Sequence, residues 1–178
     1  MNILMIVGSL RRDSYNRQLA EHIKRLIGDR AEISYLRFDD IPLLNQDIEF
    51  PAPTPVERCR RAVAGADGIW IVTPEYNHSF PGGLKNLLDW LSRPILPDVK
   101  ETVLQGKPVT ISGAAGKSSA SDARSALAVL TAWMRMDVIG GTGTGVCIDF
   151  TNSTLSFDDK TEASLLNQVE AFLGRCSV

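Results

Sequence analysis

The feature that most constrains this fold is a regular alternation of short apolar runs with segments of helical period. The runs predict strands over residues 3–7, 32–36, 68–73, 108–112 and 137–141. An extension of the fifth run through residues 146–148 is left open. Segments with one apolar face predict helices over residues 15–27, 56–64, 84–91, 123–136 and 161–173. Such alternation, with right-handed crossovers, predicts an α/β fold whose mainly parallel sheet is covered by helices on both faces.

Length, charge and cysteine spacing restrict the functional classes. The chain has 178 residues, close to one typical domain, so we expect residues 1–178 to form one domain. A net charge of −2 does not predict a groove for nucleic acid. The three cysteines are far apart and form no C-x-x-C pair, so we expect neither disulfides nor a metal site. The first apolar run is too short for a signal peptide or a membrane span, and we expect a cytoplasmic protein without a membrane partner.

Ligands of doubly wound sheets bind beyond the carboxyl ends of the strands, which directs attention to three loops. The loop after the first run, residues 8–16, carries Ser9, Arg11, Ser14 and Asn16 and leads directly into a predicted helix. Hydroxyl and amide groups, a guanidinium and free backbone N–H groups at a helix start together favour a phosphate site. The alternative is that Ser14 only caps the helix and Arg11 is only surface charge.

The other two loops suit a flat ligand. Residues 73–83 carry Tyr76, Asn77, His78 and Phe80 beside two glycines, which can lie against a planar heterocycle. The alternative is a simple turn before a helix, with Phe80 filling the core. In the loop after the fourth run, no side chain of residues 113–116 is larger than a methyl group, so a ligand can approach the backbone closely.

Two motifs in these loops carry a family resemblance. They read G-S-L-R-x-x-S-x-N at residues 8–16 and P-E-Y-N-x-S-x-P-G-x-L-K-N at residues 74–86, with D-W-L at residues 89–91. This pattern resembles the NADPH-dependent FMN reductase family, which includes quinone, chromate and azo-dye reductases. The resemblance implies a flavodoxin-like three-layer α/β/α sandwich with a five-stranded parallel sheet in the order 2-1-3-4-5. It also implies bound FMN, NADPH or NADH as electron donor, and a quinone, flavin, azo or metal-oxyanion acceptor reduced in a ping-pong scheme.

The resemblance also implies which residues bind the cofactor. The FMN phosphate would be held by the loop after the first run. The isoalloxazine and ribityl parts would be held by the loop after the third run, and the loop after the fourth run would close the remaining side. The implied residues are Ser9, Leu10 (through its backbone), Arg11, Ser14, Tyr15, Asn16, Pro74, Glu75, Tyr76, Asn77, Ser112 and Gly113. Members of the family are dimers or tetramers, so a homodimer or homotetramer is expected. No side chain need act as an acid or base, and we expect His78 to pack or to form a hydrogen bond.

Competing interpretations rest on weaker signals. Residues 113–118 end like a P-loop, but the first glycine of that motif would fall at Ile111, so we reject a nucleoside triphosphatase. Residues 140–145 are rich in glycine but lack the spacing of a dinucleotide motif, and we interpret them as a turn.

The main alternative function is that of a flavodoxin-like electron carrier. Arg11 and the small net charge argue against it. A flavin-free module used for oligomerisation or regulation is a third.

Overall fold

The computed structural model describes residues 1–151, 155 and 157–177, and it contains one six-stranded sheet flanked by five α-helices. The strands are β1 (Asn2–Val7), β2 (Glu32–Tyr35), β3 (Gly68–Thr73), β4 (Pro108–Ala115), β5 (Asp137–Val138) and β6 (Thr144–Cys147). The helices are α1 (Tyr15–Ile27), α2 (Thr54–Ala64), α3 (Gly82–Leu91), α4 (Ser121–Trp133) and α5 (Asp159–Cys176). None of the helices in these described ranges is long and apolar enough to cross a membrane.

The sheet is parallel, with the strand order β2-β1-β3-β4-β5, which confirms the predicted order. The predicted fifth strand is divided in two, because β5 pairs with the start of β4 and β6 with its end. Val138 lies opposite Val109 and Thr144 opposite Ser112, so the intervening segment is longer than the pairing requires. Three glycines of this segment have positive φ angles of 59 to 75°, which allow it to turn away from the sheet; they are Gly140, Gly141 and Gly143.

Gln168 of α5 fills the gap that this turn leaves beside β4. Its amide nitrogen donates to the Thr110 hydroxyl and the Ile111 carbonyl oxygen, both at 2.7 Å. Its amide oxygen accepts from the Ser112 hydroxyl at 3.2 Å and the Thr144 backbone N–H at 3.1 Å. The side chain is buried, and these four hydrogen bonds satisfy its own amide group and also pair the Ile111 carbonyl and the Thr144 N–H.

The hydrophobic core lies in two layers, one on each face of the sheet. One layer packs β1, β3 and β4 against α2, α3 and α4, and the other packs the sheet against α1 and α5. Trp70 of β3 is fully buried in the second layer, where its ring meets Phe172 edge-on and its indole N–H donates to Ser112. Strands buried on both faces explain the nearly continuous apolar runs of the sequence.

Several element boundaries differ from those predicted. Strand β4 continues to Ala115, three residues further than expected, because β3 and β6 pair with it on both sides. Helix α3 begins at Gly82, so the paired glycines form its first turn and are not a separate loop. Phe80 is partly buried against the first core layer, which agrees with its interpretation as a core residue.

Candidate functional site

A cleft of about 520 Å³ opens where the loops after β1, β3 and β4 converge, at the carboxyl ends of the strands. Its size falls within the range of roughly 300–1,000 Å³ that is usual for small-molecule sites. Six of the twelve sequence-predicted binding residues line it, namely Ser9, Arg11, Tyr15, Pro74, Glu75 and Tyr76. The other lining residues are Ala114, Ala115, Gly116, Ile148 and Phe150.

The loop after β1 is fixed by two buried polar residues. Ser14 caps α1, since its hydroxyl oxygen accepts the Arg17 backbone N–H at 3.0 Å. The Asn16 side chain donates to the Ala114 carbonyl oxygen and accepts the Ala114 backbone N–H, both at 2.9 Å. These contacts hold the start of α1 against the end of β4. The N–H groups of a helix start and the helix dipole together favour an anion at this place.

An arginine and two aromatic rings form the wall beside this helix start. The Arg11 guanidinium lies over the Tyr15 ring, 5.5 Å from its centroid. The Tyr15 ring meets Phe150 edge-on, with 5.9 Å between centroids. Phe150 and Ile148 come from the segment after β6, where the sequence carried no recognisable motif. The cleft therefore has a cationic end and an aromatic side.

The loop after β3 is closed by a tight turn. Tyr76 and Ser79 exchange two backbone hydrogen bonds of 2.8 and 3.1 Å. Between them, Asn77 and His78 have positive φ angles of 51 and 59°. Tyr76 lines the cleft and is 52% exposed. Asn77 lies in the turn and does not line the cleft.

Glu75 ties this loop to α4. Its carboxylate accepts the backbone N–H groups of Asp122 at 2.8 Å and Ala123 at 3.1 Å. Helix α4 has no side-chain cap of its own, because its N-cap is Ala120 in a left-handed conformation. Partial burial opposes the charge, but hydrogen bonds from Ser118 and the two N–H groups hold the pKa of Glu75 below its ordinary value. Glu75 is therefore a long-range helix cap that joins the loop after β3 to the start of α4.

His78 lies at the outer edge of the same region. Its Nδ1 is 2.7 Å from Oδ2 of Asp122, and this hydrogen bond raises the pKa of the imidazole. The ring is 84% exposed, so it makes a surface contact, as the sequence interpretation expected. Glu75, His78 and Asp122 each have one atom of a kind that can ligate a metal ion, and these three atoms lie within 4.8 Å of one another.

Residues Ser112 and Gly113 lie deeper than a cleft wall. Both are buried within β4, where Ser112 bonds to Trp70 and Gln168. A Cβ atom on Gly113 would stand 2.7 Å from the Thr73 carbonyl oxygen. The third side of the cleft is instead formed by residues 114–116, because β4 extends further than the sequence predicted. Leu10 also lies apart from the cleft and lines a neighbouring pocket.

The sequence matches a known protein family over most of its length. Residues 1–146 match the family model described as NADPH-dependent FMN reductase. A 2-hydroxy-1,4-benzoquinone reductase of a Burkholderia species is 42% identical over 113 residues, which covers 64% of this chain and 60% of that protein. A quinone reductase of Escherichia coli is 43% identical over 114 residues, covering 62% and 58% of the two chains. The matched region thus spans about three fifths of the length of these curated relatives.

The fold comparison extends over nearly the whole chain. FerB, a flavoenzyme NAD(P)H:(acceptor) oxidoreductase of Paracoccus denitrificans, superposes with a TM-score of 0.86 at 28% sequence identity. The superposition covers 99% of this chain and 97% of that protein. The similarity therefore includes the strands and loops that surround the cleft.

Proposed function

The chain belongs to the NADPH-dependent FMN reductase family, and from this premise we propose that it is an NAD(P)H-dependent FMN oxidoreductase of the quinone reductase type. The observation that carries the proposal is the cleft in which Arg11 and a helix start lie beside aromatic and small residues. This combination matches a ligand with a phosphate at one end and a flat ring at the other. The reductases named among the relatives support the same reaction class.

The residues present fit FMN in three respects. Arg11 and Ser9, together with the N–H groups at the start of α1, would hold the phosphate. Pro74, Glu75 and Tyr76 would contact the isoalloxazine and ribityl parts. A Cβ atom on Gly116 would contact the Phe150 ring at 3.4 Å, so the small residues at the end of β4 keep the cleft open. Bound FMN supplies the centre that accepts a hydride and passes two electrons onward.

The remaining predicted residues are assigned supporting roles. Ser14 and Asn16 orient the phosphate loop through the helix cap and the Ala114 contact. Asn77 shapes the turn that presents Tyr76, while Ser112 and Gly113 form the strand beneath the cleft. The backbone of Leu10 lies between Ser9 and Arg11 and remains a proposed phosphate contact. We assign no acid or base, because hydride transfer needs alignment of two rings more than proton transfer from a side chain.

The open side of the cleft also bears on the order of the substrates. The electron donor and a quinone, flavin, azo or metal-oxyanion acceptor would both use this exposed side, next to Tyr76. Two substrates that occupy one place in turn give ping-pong kinetics. We therefore propose a ping-pong scheme with NADPH or NADH as donor.

Association into a homodimer or homotetramer is proposed from the surface of α4. Val129 and Trp133 on this helix are 73% and 78% exposed, an unusual state for large apolar side chains on a lone subunit. Light scattering at several protein concentrations measures the assembly directly. The three free cysteines support the proposed cytoplasmic location, since reducing compartments keep thiols unpaired.

The proposed function is tested by cofactor loading followed by turnover. The purified protein is titrated with FMN, and quenching of flavin fluorescence is measured for the wild type and Arg11→Ala. We expect stoichiometric binding by the wild type and binding about tenfold weaker in the variant, as for loss of one charge-assisted contact. Arg61→Ala, an exposed change on α2, is the control. Failure to bind FMN, or binding without any NAD(P)H oxidation when a quinone is added, would overturn the proposal, and the second outcome favours an electron carrier.

A further inference from the structure

A second pocket, of about 440 Å³, lies at the carboxyl ends of β1 and β2. It meets the cleft at Ser9 and Arg11, which line both cavities. These two residues would also hold the FMN phosphate. A phosphate bound there lies at the border between the cavities, so a group attached to it on the side away from the flavin would enter the second pocket.

The second pocket has an excess of positive charge. Its charged lining residues are Arg11, Arg12, Arg17 and Arg37, with Asp39 as the single carboxylate. In the described part of the chain, Arg12 makes no hydrogen bond or ion pair, and Arg37 contacts Asp39 through Nε alone, at 2.8 Å. Arg12 and the terminal nitrogens of Arg37 therefore keep donors for a second phosphate, next to the one at Arg11.

The remaining lining suits a flat base. The apolar lining residues are Val7, Leu10, Leu36 and Phe38. The Arg17 guanidinium lies over the Tyr35 ring, 4.4 Å from its centroid, and both residues line the pocket. An inorganic anion would leave these surfaces uncovered, whereas a purine packs against apolar side chains and stacks on guanidinium planes. The lining therefore favours a nucleotide over an inorganic ion.

We propose that the second pocket receives the adenosine monophosphate half of FAD, so that the chain binds FAD as well as FMN. FAD is FMN joined through its phosphate to adenosine monophosphate. The inference rests on the proposed function, because it keeps the flavin ring in the cleft and the first phosphate at Ser9 and Arg11. The second phosphate would then lie beside Arg12 and Arg37, and the adenine would cover the apolar lining.

Isothermal titration calorimetry with FMN and with FAD, on the full chain freed of flavin, tests this assignment. The wild type should bind FAD at least as tightly as FMN. The double variant Arg12→Gln/Arg37→Gln should bind FAD about tenfold more weakly, as for the loss of charge-assisted contacts, and should bind FMN as before. Arg61→Gln, an exposed change on α2, is the control and should leave both affinities unchanged. Weaker binding of FAD than of FMN by the wild type would overturn the proposal, as would a double variant whose affinity falls equally for both flavins or for neither.

A competition assay gives a second readout. The chain is incubated with an equimolar mixture of FMN and FAD, and the flavin that it retains after gel filtration is released and quantified by chromatography. The ratio of retained FAD to FMN should fall about tenfold in the double variant. Arg12→Lys/Arg37→Lys should recover part of this ratio, because it restores the charge but not the planar donors. Circular dichroism and thermal melting verify that each variant is folded.

The two proposals fail in different ways. Retention of neither flavin would refute both this assignment and the proposed function. FAD binding that depends on Arg12 and Arg37, without any NAD(P)H oxidation, would support this assignment and refute only the proposed function. NAD(P)H oxidation by an FMN-loaded chain that excludes FAD would refute this assignment alone.

Discussion

Replacing Glu75 with alanine removes the helix cap that joins the loop after β3 to α4. In the wild type, the carboxylate accepts the N–H groups of Asp122 and Ala123 at 2.8 and 3.1 Å. Ala120 at the N-cap offers no side-chain acceptor, so the helix has no local substitute. The variant leaves these donors to water, which enters a partly exposed site easily.

The loss of stability should resemble the loss caused by removing an ordinary N-cap residue. Removing such a cap costs about 0.5–2 kcal/mol, and we expect about 1.5 kcal/mol here, because two N–H groups lose a charged acceptor. For a domain of this size, that change lowers Tm by about 3–6 °C. Glu75→Gln, which keeps an acceptor oxygen but loses the charge, should cost about half as much.

The pH dependence identifies the charge as the cause. The hydrogen bonds hold the pKa of Glu75 below that of an unfolded glutamate, about 4.3, so the folded state prefers the ionised form. The stabilisation is therefore fully present above the unfolded pKa and disappears as the pH falls through the lower folded pKa. The wild type and Glu75→Gln should differ at neutral pH and converge in acid.

Urea denaturation followed by circular dichroism, repeated from neutral to acidic pH, measures both effects. Glu32→Gln is the matched control, because Glu32 is exposed and makes no side-chain hydrogen bond or ion pair within the described residues. A Glu75→Ala stability equal to that of the wild type would refute the capping argument. A Glu75→Gln difference that persists unchanged in acid would refute the electrostatic part of it.

Two further predictions concern the scaffold beneath the cleft. Gln168→Leu should lower the free energy of unfolding by about 3 kcal/mol in urea denaturation, since it leaves the buried Ile111 carbonyl and the partly buried Thr144 N–H without their partner. Asn167→Leu, which also replaces an amide side chain by leucine but at the exposed neighbouring position of α5, should have little effect, and equal stabilities of the two variants would contradict the bridging role. Gly113→Ala should lower the free energy of unfolding by about 2 kcal/mol, because the new Cβ would stand 2.7 Å from the Thr73 carbonyl oxygen. A Cβ at Gly82 would meet no atom within 4 Å, so Gly82→Ala should leave the free energy of unfolding unchanged. Equal melting temperatures for the two alanine variants would show that β4 relaxes around the methyl group.

Much of the fold was predictable because its main signals are local. The apolar runs and amphipathic segments follow directly from strands buried on both faces and helices buried on one. The break between β5 and β6 was missed, since it depends on the pairing of β4 and on a glutamine far along the chain. The length of β4 likewise depends on its neighbours, so the sequence did not show that residues after Gly113 form the third side of the cleft.

The site was predictable where a motif keeps its residues together. The first and third loops supplied all six predicted residues that line the cleft. Phe150 was missed, because it arrives from a segment without a motif and meets Tyr15 only in the folded chain. The capping role of Glu75 was missed for the same reason, since its partners on α4 are 47 and 48 residues away.

The most direct test of the central claim is anaerobic mixing of the FMN-loaded protein with NADPH while the visible flavin absorbance is recorded. The proposed function predicts rapid loss of the yellow absorbance in a single turnover and its return when a quinone is added. The contradictory result is a yellow protein that dithionite bleaches but NADPH does not, because such a protein holds the cofactor without accepting electrons from the nucleotide.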